Sequence, residues 1–174
     1  MHVLEQKHLY SGRIIGVHVD KILLPGGQQA IREVVTHPGG AVALAMLTDG
    51  KVLFVRQPRY PLGHDLLELP AGKLDAGEHP SKSVLRELEE ETGYRAGKIR
   101  PLCSFYTSPG FCNELLHLFL AEDLIPTRQN LEHDEQISVE LYSLPEAMQM
   151  VRDGRIQDAK TIIGLFWGEI LLTA

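Results

Sequence analysis

Five glutamates, Glu78, Glu87, Glu89, Glu90 and Glu91, lie within the stretch GKLDAGEHPSKSVLRELEEETGY at residues 72–94. Four of them fall in the five residues 87–91, just before Thr92 and Gly93. On a helix Glu87 is three residues from Glu90 and four from Glu91, so these carboxylates share a face. Like charges at such spacings cost about 0.2–0.5 kcal/mol per pair. Carboxylate oxygens at this density suit a hard divalent cation. The ordinary alternative is a solvated acidic face, with Glu78–Lys82 and Arg86–Glu90 as four-apart ion pairs. The residues that frame the glutamates decide between the two.

Gly72, Glu78, Arg86, Glu87, Glu90, Glu91 and Gly93 fit the pattern G-x5-E-x7-R-E-U-x-E-E-x-G-U, with Leu88 and Tyr94 at the bulky apolar positions U. Ordinary residue frequencies give that coincidence on the order of once in a million chains of this length. The pattern is the signature of the Nudix hydrolases, which this chain resembles without departure. The resemblance implies an α+β fold in which a mixed β-sheet lies between helices. It also implies hydrolysis of a diphosphate linkage with Mg²⁺, for which Mn²⁺ can substitute. A bound metal of this kind neutralises phosphate oxygens, orients a water and lowers its pKa. The metal ligands implied are Glu87, Glu90, Glu91 and the backbone carbonyl of Ala71. Glu90 and Arg86 are expected to serve catalysis, Arg86 by orienting a carboxylate through a charge-assisted hydrogen bond; a plain surface salt bridge is its other reading. Glu89 occupies a variable position and is expected to face solvent.

The flanks narrow the resemblance. RQPRYPLGHDLLELPAGKLDAGE (56–78) and SFYTSPGFCNE (104–114) are similar to the corresponding stretches of bacterial ADP-ribose pyrophosphatases. That subgroup carries a proline sixteen residues beyond the last glycine of the box, and Pro109 stands there. The resemblance implies that ADP-ribose is split to AMP and ribose 5-phosphate. Other nucleoside diphosphate sugars, ADP-glucose or GDP-mannose, are the alternative substrates, and a non-catalytic ADP-ribose sensor is the alternative class. The implied substrate contacts are Arg32, Arg56, Arg59, Glu68, Pro109, Gly110, Phe111 and Glu114. The catalytic base is expected outside the box, in the acidic segment LEHDEQISVE (131–140), at Glu135, with Glu132 and Asp134 as rivals. Family practice further implies a homodimer built through the N-terminal strands.

The elements that must hold these residues are legible in outline. Residues 9–24 alternate loosely and meet the turn signal Pro25-Gly26-Gly27, and residues 28–36 read as a returning strand. This predicts an N-terminal β extension over 1–38, too small to be stable alone, ahead of a hydrolase domain at 39–174. The apolar run 41–48 predicts a strand buried on both faces, joined by an Asp49-Gly50 type I′ turn to a partner strand at 51–57. A short strand at 66–72 leads into the box. Pro80 predicts a helix start and Gly93 its left-handed end, with Val84, Leu85 and Leu88 as the buried stripe and Glu87 and Glu91 off it. Strands are expected at 99–105, 115–121 and 137–143. A helix should open at Pro145 and stop at Gly154, and a last helix should bury Ile162, Ile163, Leu165, Phe166 and Ile170.

Composition sets the outer limits. The chain has 174 residues, 44% of them hydrophobic, and a net charge of −6. That charge argues against non-specific nucleic-acid binding, which needs a basic face. Cys103 and Cys112 are too few for a disulfide scaffold and are expected as free thiols in a reducing cytoplasm. The N-terminus lacks the apolar core of a signal peptide, and no apolar run is long enough to span a bilayer.

Overall fold

A computed structural model describes residues 1–173 of the chain. In chain order the elements are β1 (His2–Ser11), β2 (Gly16–Leu23), β3 (Gln29–Thr36), β4 (Gly40–Ala45), β5 (Lys51–Arg59), β6 (His64–Glu68), β7 (Ala71–Lys73), α1 (Pro80–Thr92), β8 (Tyr94–Tyr106), β9 (Leu115–Pro126), β10 (Ser138–Ser143), α2 (Leu144–Arg152) and α3 (Ala159–Thr173). They group into two units. One comprises Met1–Gly39 with Phe105–Leu115, and the other the remainder of the chain.

The first unit is built on an antiparallel sheet in the order β1-β2-β3. The Pro25–Gly27 turn closes β2 onto β3, with Gly27 at φ 80° and its N–H donating to the Leu24 carbonyl at 2.9 Å. The sequence predicts two strands here, and the structure adds β1. Every residue of β1 is exposed, so no buried face imposes a period of two, and its pairing with β2 is interrupted by two register shifts.

In the second unit a four-stranded sheet runs β7-β4-β9-β8, and a three-stranded sheet runs β10-β5-β6. Strand β4 is parallel to β9, from Gly40 opposite Leu116 to Ala45 opposite Ala121. All six residues of β4 are buried, and its two faces pack differently. Ala41, Ala43 and Ala45 join Leu53, Val84, Leu88, Phe119 and Ala121 in one core cluster beneath α1. Leu44 and Leu118, on the other face, lie against α3: a Cβ on Gly168 would stand 3.6 Å from Leu44, and one on Gly164 3.5 Å from Leu118. The sheet is thus sandwiched between helices. No helix among the described residues is long and apolar enough to cross a membrane.

Two local expectations are overturned. The strands β4 and β5 do not form a hairpin ladder; a single bridge, Met46 to Val52, links the two segments, and β5 pairs with β10 and β6 instead. The connection is not a type I′ turn. Gly50 has φ 80°, but Asp49 is not in the left-handed region that type I′ also demands at its first central residue. Its side chain instead accepts from the Lys51 N–H at 3.1 Å. In α3, Leu165 is buried as predicted, but Phe166 and Ile170 are 50% and 52% exposed. The buried face is Thr161, Gly164, Leu165 and Gly168. Small residues win it because a Cβ on Gly164 would come within 2.3 Å of Leu69, so close approach to the sheet, not side-chain bulk, selects the face.

Candidate active site

The box folds as the strand β7, a loop and α1. His79 caps the helix, its side chain accepting from the Ser81 N–H at 3.3 Å, with Pro80 in the first turn. Gly93 ends it at φ 70°, donating to the Glu89 carbonyl at 2.9 Å. Val84 and Leu88 are fully buried in the core cluster. Unlike the sequence expectation, Glu87 and Glu91 are also buried, at 9% and 3% exposure. They lie where α1 passes over β7, so the carboxylates point between helix and sheet and not to solvent.

One guanidinium organises the cluster. Arg86 grips Glu78 with a two-pronged bond, Nε to Oε1 at 3.1 Å and Nη2 to Oε2 at 3.0 Å. Its Nη1 donates to Glu87 Oε1 at 2.8 Å and to Glu90 Oε2 at 3.1 Å. Three box carboxylates therefore share a single cation, and Glu78 pairs with Arg86, not with Lys82. The hydrogen bond from Arg86 holds the Glu78 carboxyl below its usual range.

The two remaining features are backbone contacts. Glu91 Oε2 accepts from the Ala71 N–H at 3.0 Å, and Gly72 lies against Glu87. A Cβ at residue 72 would fall 1.9 Å from the Glu87 carboxyl carbon. Gly72 is therefore required by close approach. It is not among the glycines at positive φ, whereas Gly77 is, at φ 77°. Burial pushes the Glu91 carboxyl up to about 8, with the neighbouring charges of Glu87 and Glu135 adding to the effect. Burial likewise raises Glu87, and Arg86 counters it.

This donor set fits a hard divalent cation. Glu87 and Glu91 are buried carboxylates that disfavour their own charged form, and a cation would reverse that preference. No three acidic, histidine or cysteine side chains among the described residues are arranged to hold a metal ion by themselves. A closed cage is not what Mg²⁺ requires, since it keeps several waters and takes few carboxylates. Glu87, Glu90, Glu91 and the backbone at Ala71 are the groups that could hold it, with water filling the remaining positions.

The acidic loop between β9 and β10 is tied to the C-terminal end of α1. The N–H groups of Thr127 and Asn130 donate to the carbonyls of Gly93 and Glu90 at 2.7 and 2.9 Å, occupying acceptors that a helix end leaves open. Within the loop Glu135 Oε2 accepts from the Glu132 N–H at 2.8 Å. The charge of Glu135 is felt at Glu91, so the structure brings this loop and the box together. Glu132 and Asp134 are more exposed than Glu135.

Arg56, Arg59 and Glu68 are engaged with other side chains. Arg59 forms a two-pronged pair with Glu68, both bonds at 2.6 Å. Glu68 is fully buried. Lys160 also donates to Glu68 and pairs with Asp158 at 3.0 Å. These cations overcome the burial that would raise Glu68, and its carboxyl sits below the usual range. Arg56 is paired with Glu140, which also accepts from the Tyr142 hydroxyl. Sequence reasoning missed Lys160, Asp158 and Glu140. Asp158-Ala-Lys-Thr161 does carry a helix-start signal, since Asp158 Oδ2 accepts from the Thr161 N–H at 3.0 Å.

In the first unit, Arg32, Pro109, Gly110 and Phe111 line a cavity of ≈ 470 Å³ with Ile22, Tyr106 and Cys112. The segment carrying them is fixed to β3: Val35 N–H donates to the Phe111 carbonyl at 2.8 Å, and Asn113 N–H to the Val35 carbonyl at 3.2 Å. Glu114 accepts from the Thr107 hydroxyl at 2.7 Å. Cys103 and Cys112 are both free and half-buried.

Residues 36–163 match the family model described as NUDIX domain. The chain is 42% identical to an ADP-ribose pyrophosphatase of Bacillus subtilis, over 91% of this chain and 86% of that protein. It is 41% identical to a methanol dehydrogenase activator of Bacillus methanolicus, over 93% and 89%, and 39% identical to a GDP-mannose pyrophosphatase of Yersinia enterocolitica, over 82% and 79%. A crystal structure of an ADP compounds hydrolase superposes with a TM-score of 0.86 over 98% of this chain and 93% of that one, at 19% identity, a likeness of fold.

Proposed function

The chain belongs to the NUDIX domain family, and from that premise we propose that it hydrolyses the diphosphate linkage of ADP-ribose to AMP and ribose 5-phosphate, with Mg²⁺ as the metal. The observation that carries this reading is the arrangement on α1. Glu87 and Glu91 are buried against the Ala71–Gly72 backbone, while Arg86 spans Glu78, Glu87 and Glu90. Nudix hydrolases generally depend on a divalent metal. Bound at these carboxylates, Mg²⁺ would supply charge neutralisation for the diphosphate and a more acidic water; Mn²⁺ would serve in its place.

The chain's own residues do the rest. Arg86 fixes the Glu87 and Glu90 carboxylates by a hydrogen bond to one oxygen of each, and these carboxylates would hold the metal. Water attacks one phosphorus, the bridging P–O bond breaks, and each product keeps one phosphate. Glu135 takes the proton from the attacking water, a role that suits a carboxylate on a loop beside the cage. Arg32, Arg56, Arg59, Glu68, Pro109, Gly110, Phe111 and Glu114 are assigned to the substrate. Glu68 acts by holding Arg59, whose side chain keeps 39% exposure, and the aromatic and apolar lining around Phe111 suits a base or ribose.

We also assign residues 1–38 as an extension that forms a homodimer, with 39–174 as the hydrolase domain. Val3, Leu4, Leu9, Tyr10 and Ile31 are all more than 40% exposed on its sheet, an apolar area that a second copy would cover. A light-scattering mass of one chain would overturn that assignment.

The test of function is AMP release from ADP-ribose with Mg²⁺, ranked by kcat/KM against ADP-glucose and GDP-mannose. GDP-mannose is the second reading, on the strength of the Yersinia relative. Faster turnover of GDP-mannose would replace the first reading by the second, and intact ADP-ribose after long incubation would remove it.

A further inference from the structure

The loop from Thr127 to Ile137 is held at two points, and one side chain reaches both. The Gln129 amide Nε2 donates to the Glu91 carbonyl at 2.6 Å and to the Ile137 carbonyl at 3.3 Å. The first bond anchors it on the last turn of α1, at the residue whose carboxylate enters the cage. The second closes the far end of the loop, beside the start of β10. Backbone bonds from Thr127 and Asn130 fix only the near end. The approach is tight: a Cβ on Gly93 would stand 2.9 Å from the Gln129 backbone nitrogen, so the last glycine of the box serves the loop as well as the helix.

We propose that Gln129 is a positioning residue that staples the acidic loop shut on the box helix and so fixes Glu135 relative to the metal carboxylates. This rests on the reading of Glu135 as base. Without the staple, the hydrogen bonds that hold the segment between Asn130 and Ile137 among the described residues are those of its internal Glu132–Glu135 turn. Gln129 is exposed, and substituting it removes no core side chain and no box side chain, only the bonds its amide makes to the Glu91 and Ile137 carbonyls, so it separates positioning from folding.

The experiment uses Gln129→Met, which keeps length and loses the donor, alongside Glu135→Gln and the double variant. Three readouts are taken: kcat and KM for ADP-ribose, the half-saturating Mg²⁺ concentration, and amide exchange of residues 131–136. Q129M should lose ~10–100-fold in kcat, as misplacement of a reacting group does, with KM and Mg²⁺ requirement within about threefold of the parent. Exchange in the loop should accelerate at least about tenfold, since its closed state loses hydrogen bonds. The double variant should be no slower than E135Q alone, because a staple has nothing left to position. Unchanged loop exchange in Q129M overturns the staple. Fast exchange with kcat losses that multiply in the double variant overturns the coupling to Glu135. An E135Q enzyme with parental kcat overturns the base assignment instead, and the exchange data on Q129M still judge the staple.

Discussion

Replacing Gly72 by alanine tests the cage at a point where sterics can be calculated. The new Cβ would lie 1.9, 2.1 and 2.3 Å from the three carboxyl atoms of Glu87. Ordinary contact begins near 3.4 Å, so the carboxyl carbon must withdraw by at least 1.5 Å (3.4 − 1.9). The main chain can stay, because Gly72 does not occupy the left-handed region. The withdrawal is therefore taken by the side chain of Glu87, and it breaks the 2.8 Å bond from Arg86. Arg86 is about one-third exposed, and solvent screening limits the stability lost to about 1 kcal/mol. For a chain of this size that lowers Tm by about 2–4 °C. Function should suffer far more. Displacing a ligand by over an ångström costs ~10²-fold in kcat/KM, about 2.7 kcal/mol of transition-state stabilisation, and the half-saturating Mg²⁺ concentration should rise. The assay is AMP release across a Mg²⁺ titration, with thermal unfolding in parallel. Gly77→Ala is the control: its φ of 77° makes alanine strained, but nothing lies within 4 Å of the new Cβ. It should lose about 1–2 kcal/mol of stability and keep its metal requirement. A G72A enzyme with parental kcat/KM and Mg²⁺ dependence would refute the argument that Glu87 must sit against this backbone to work.

Three further outcomes are expected. Glu90→Gln should abolish AMP release while leaving Tm within a few degrees, since Glu90 is only half-buried; an active variant removes Glu90 from the cage. The Glu91 carboxyl is raised to about 8 against 4.5 unfolded, so the folded state favours its protonated form. The metal-free protein should lose stability as pH rises from 4.5 through 8, and Glu91→Gln should flatten that limb while removing stabilisation by Mg²⁺; urea unfolding between pH 5 and 9 measures both. Lys160→Met leaves the buried Glu68 with Arg59 alone and should cost up to about 3 kcal/mol. Because Glu68 is lowered, its contribution is present above the unfolded pKa and fades as pH falls through the folded one, so K160M should show a shallower acid limb in denaturant titrations.

The sequence reached the site further than the fold around it, for physical reasons that particular residues illustrate. Glycines, prolines and charges at fixed spacing carry local information, and α1 starts at Pro80 and stops at Gly93 as the code of caps requires. What failed was inference about what faces what. Glu87 and Glu91 look like a polar face on a helical wheel, yet they are buried, because polarity predicts exposure only where no function demands otherwise. Phe166 and Ile170 look like core and are exposed, because Gly164 and Gly168 let α3 lie closer to the sheet than large side chains would permit. The Lys160–Glu68 contact joins residues 92 apart in sequence, and no local pattern can register such a pair. Gln129 was invisible for a related reason. An amide in a polar loop signals nothing until the loop is seen to cross the end of a particular helix.

The charges around α1 also explain why the glutamates belong together at all. Fully ionised, Glu78, Glu87, Glu90 and Glu91 would bring four negative charges against one from Arg86, a balance of −3 (−4 + 1) that the metal-free protein relieves by holding a proton on the raised Glu91 carboxyl and that Lys73 softens at Glu87. Glu91 also feels Lys160, and Arg59 feels Glu91. Those two cations are already matched by Glu68 and Asp158, so they do not close the deficit. Glu135 deepens it. A protein optimised for stability alone would relieve such a cluster by exchanging one glutamate for glutamine. Here the deficit lies next to buried carboxylates and a half-buried backbone edge at Ala71–Gly72, which is where a divalent cation would offset most of the negative charge and where an anionic diphosphate would otherwise be repelled. The instability of the metal-free cluster and its affinity for a cation are one electrostatic quantity, because the free energy that burial withholds from Glu91 without the metal is returned when the metal binds.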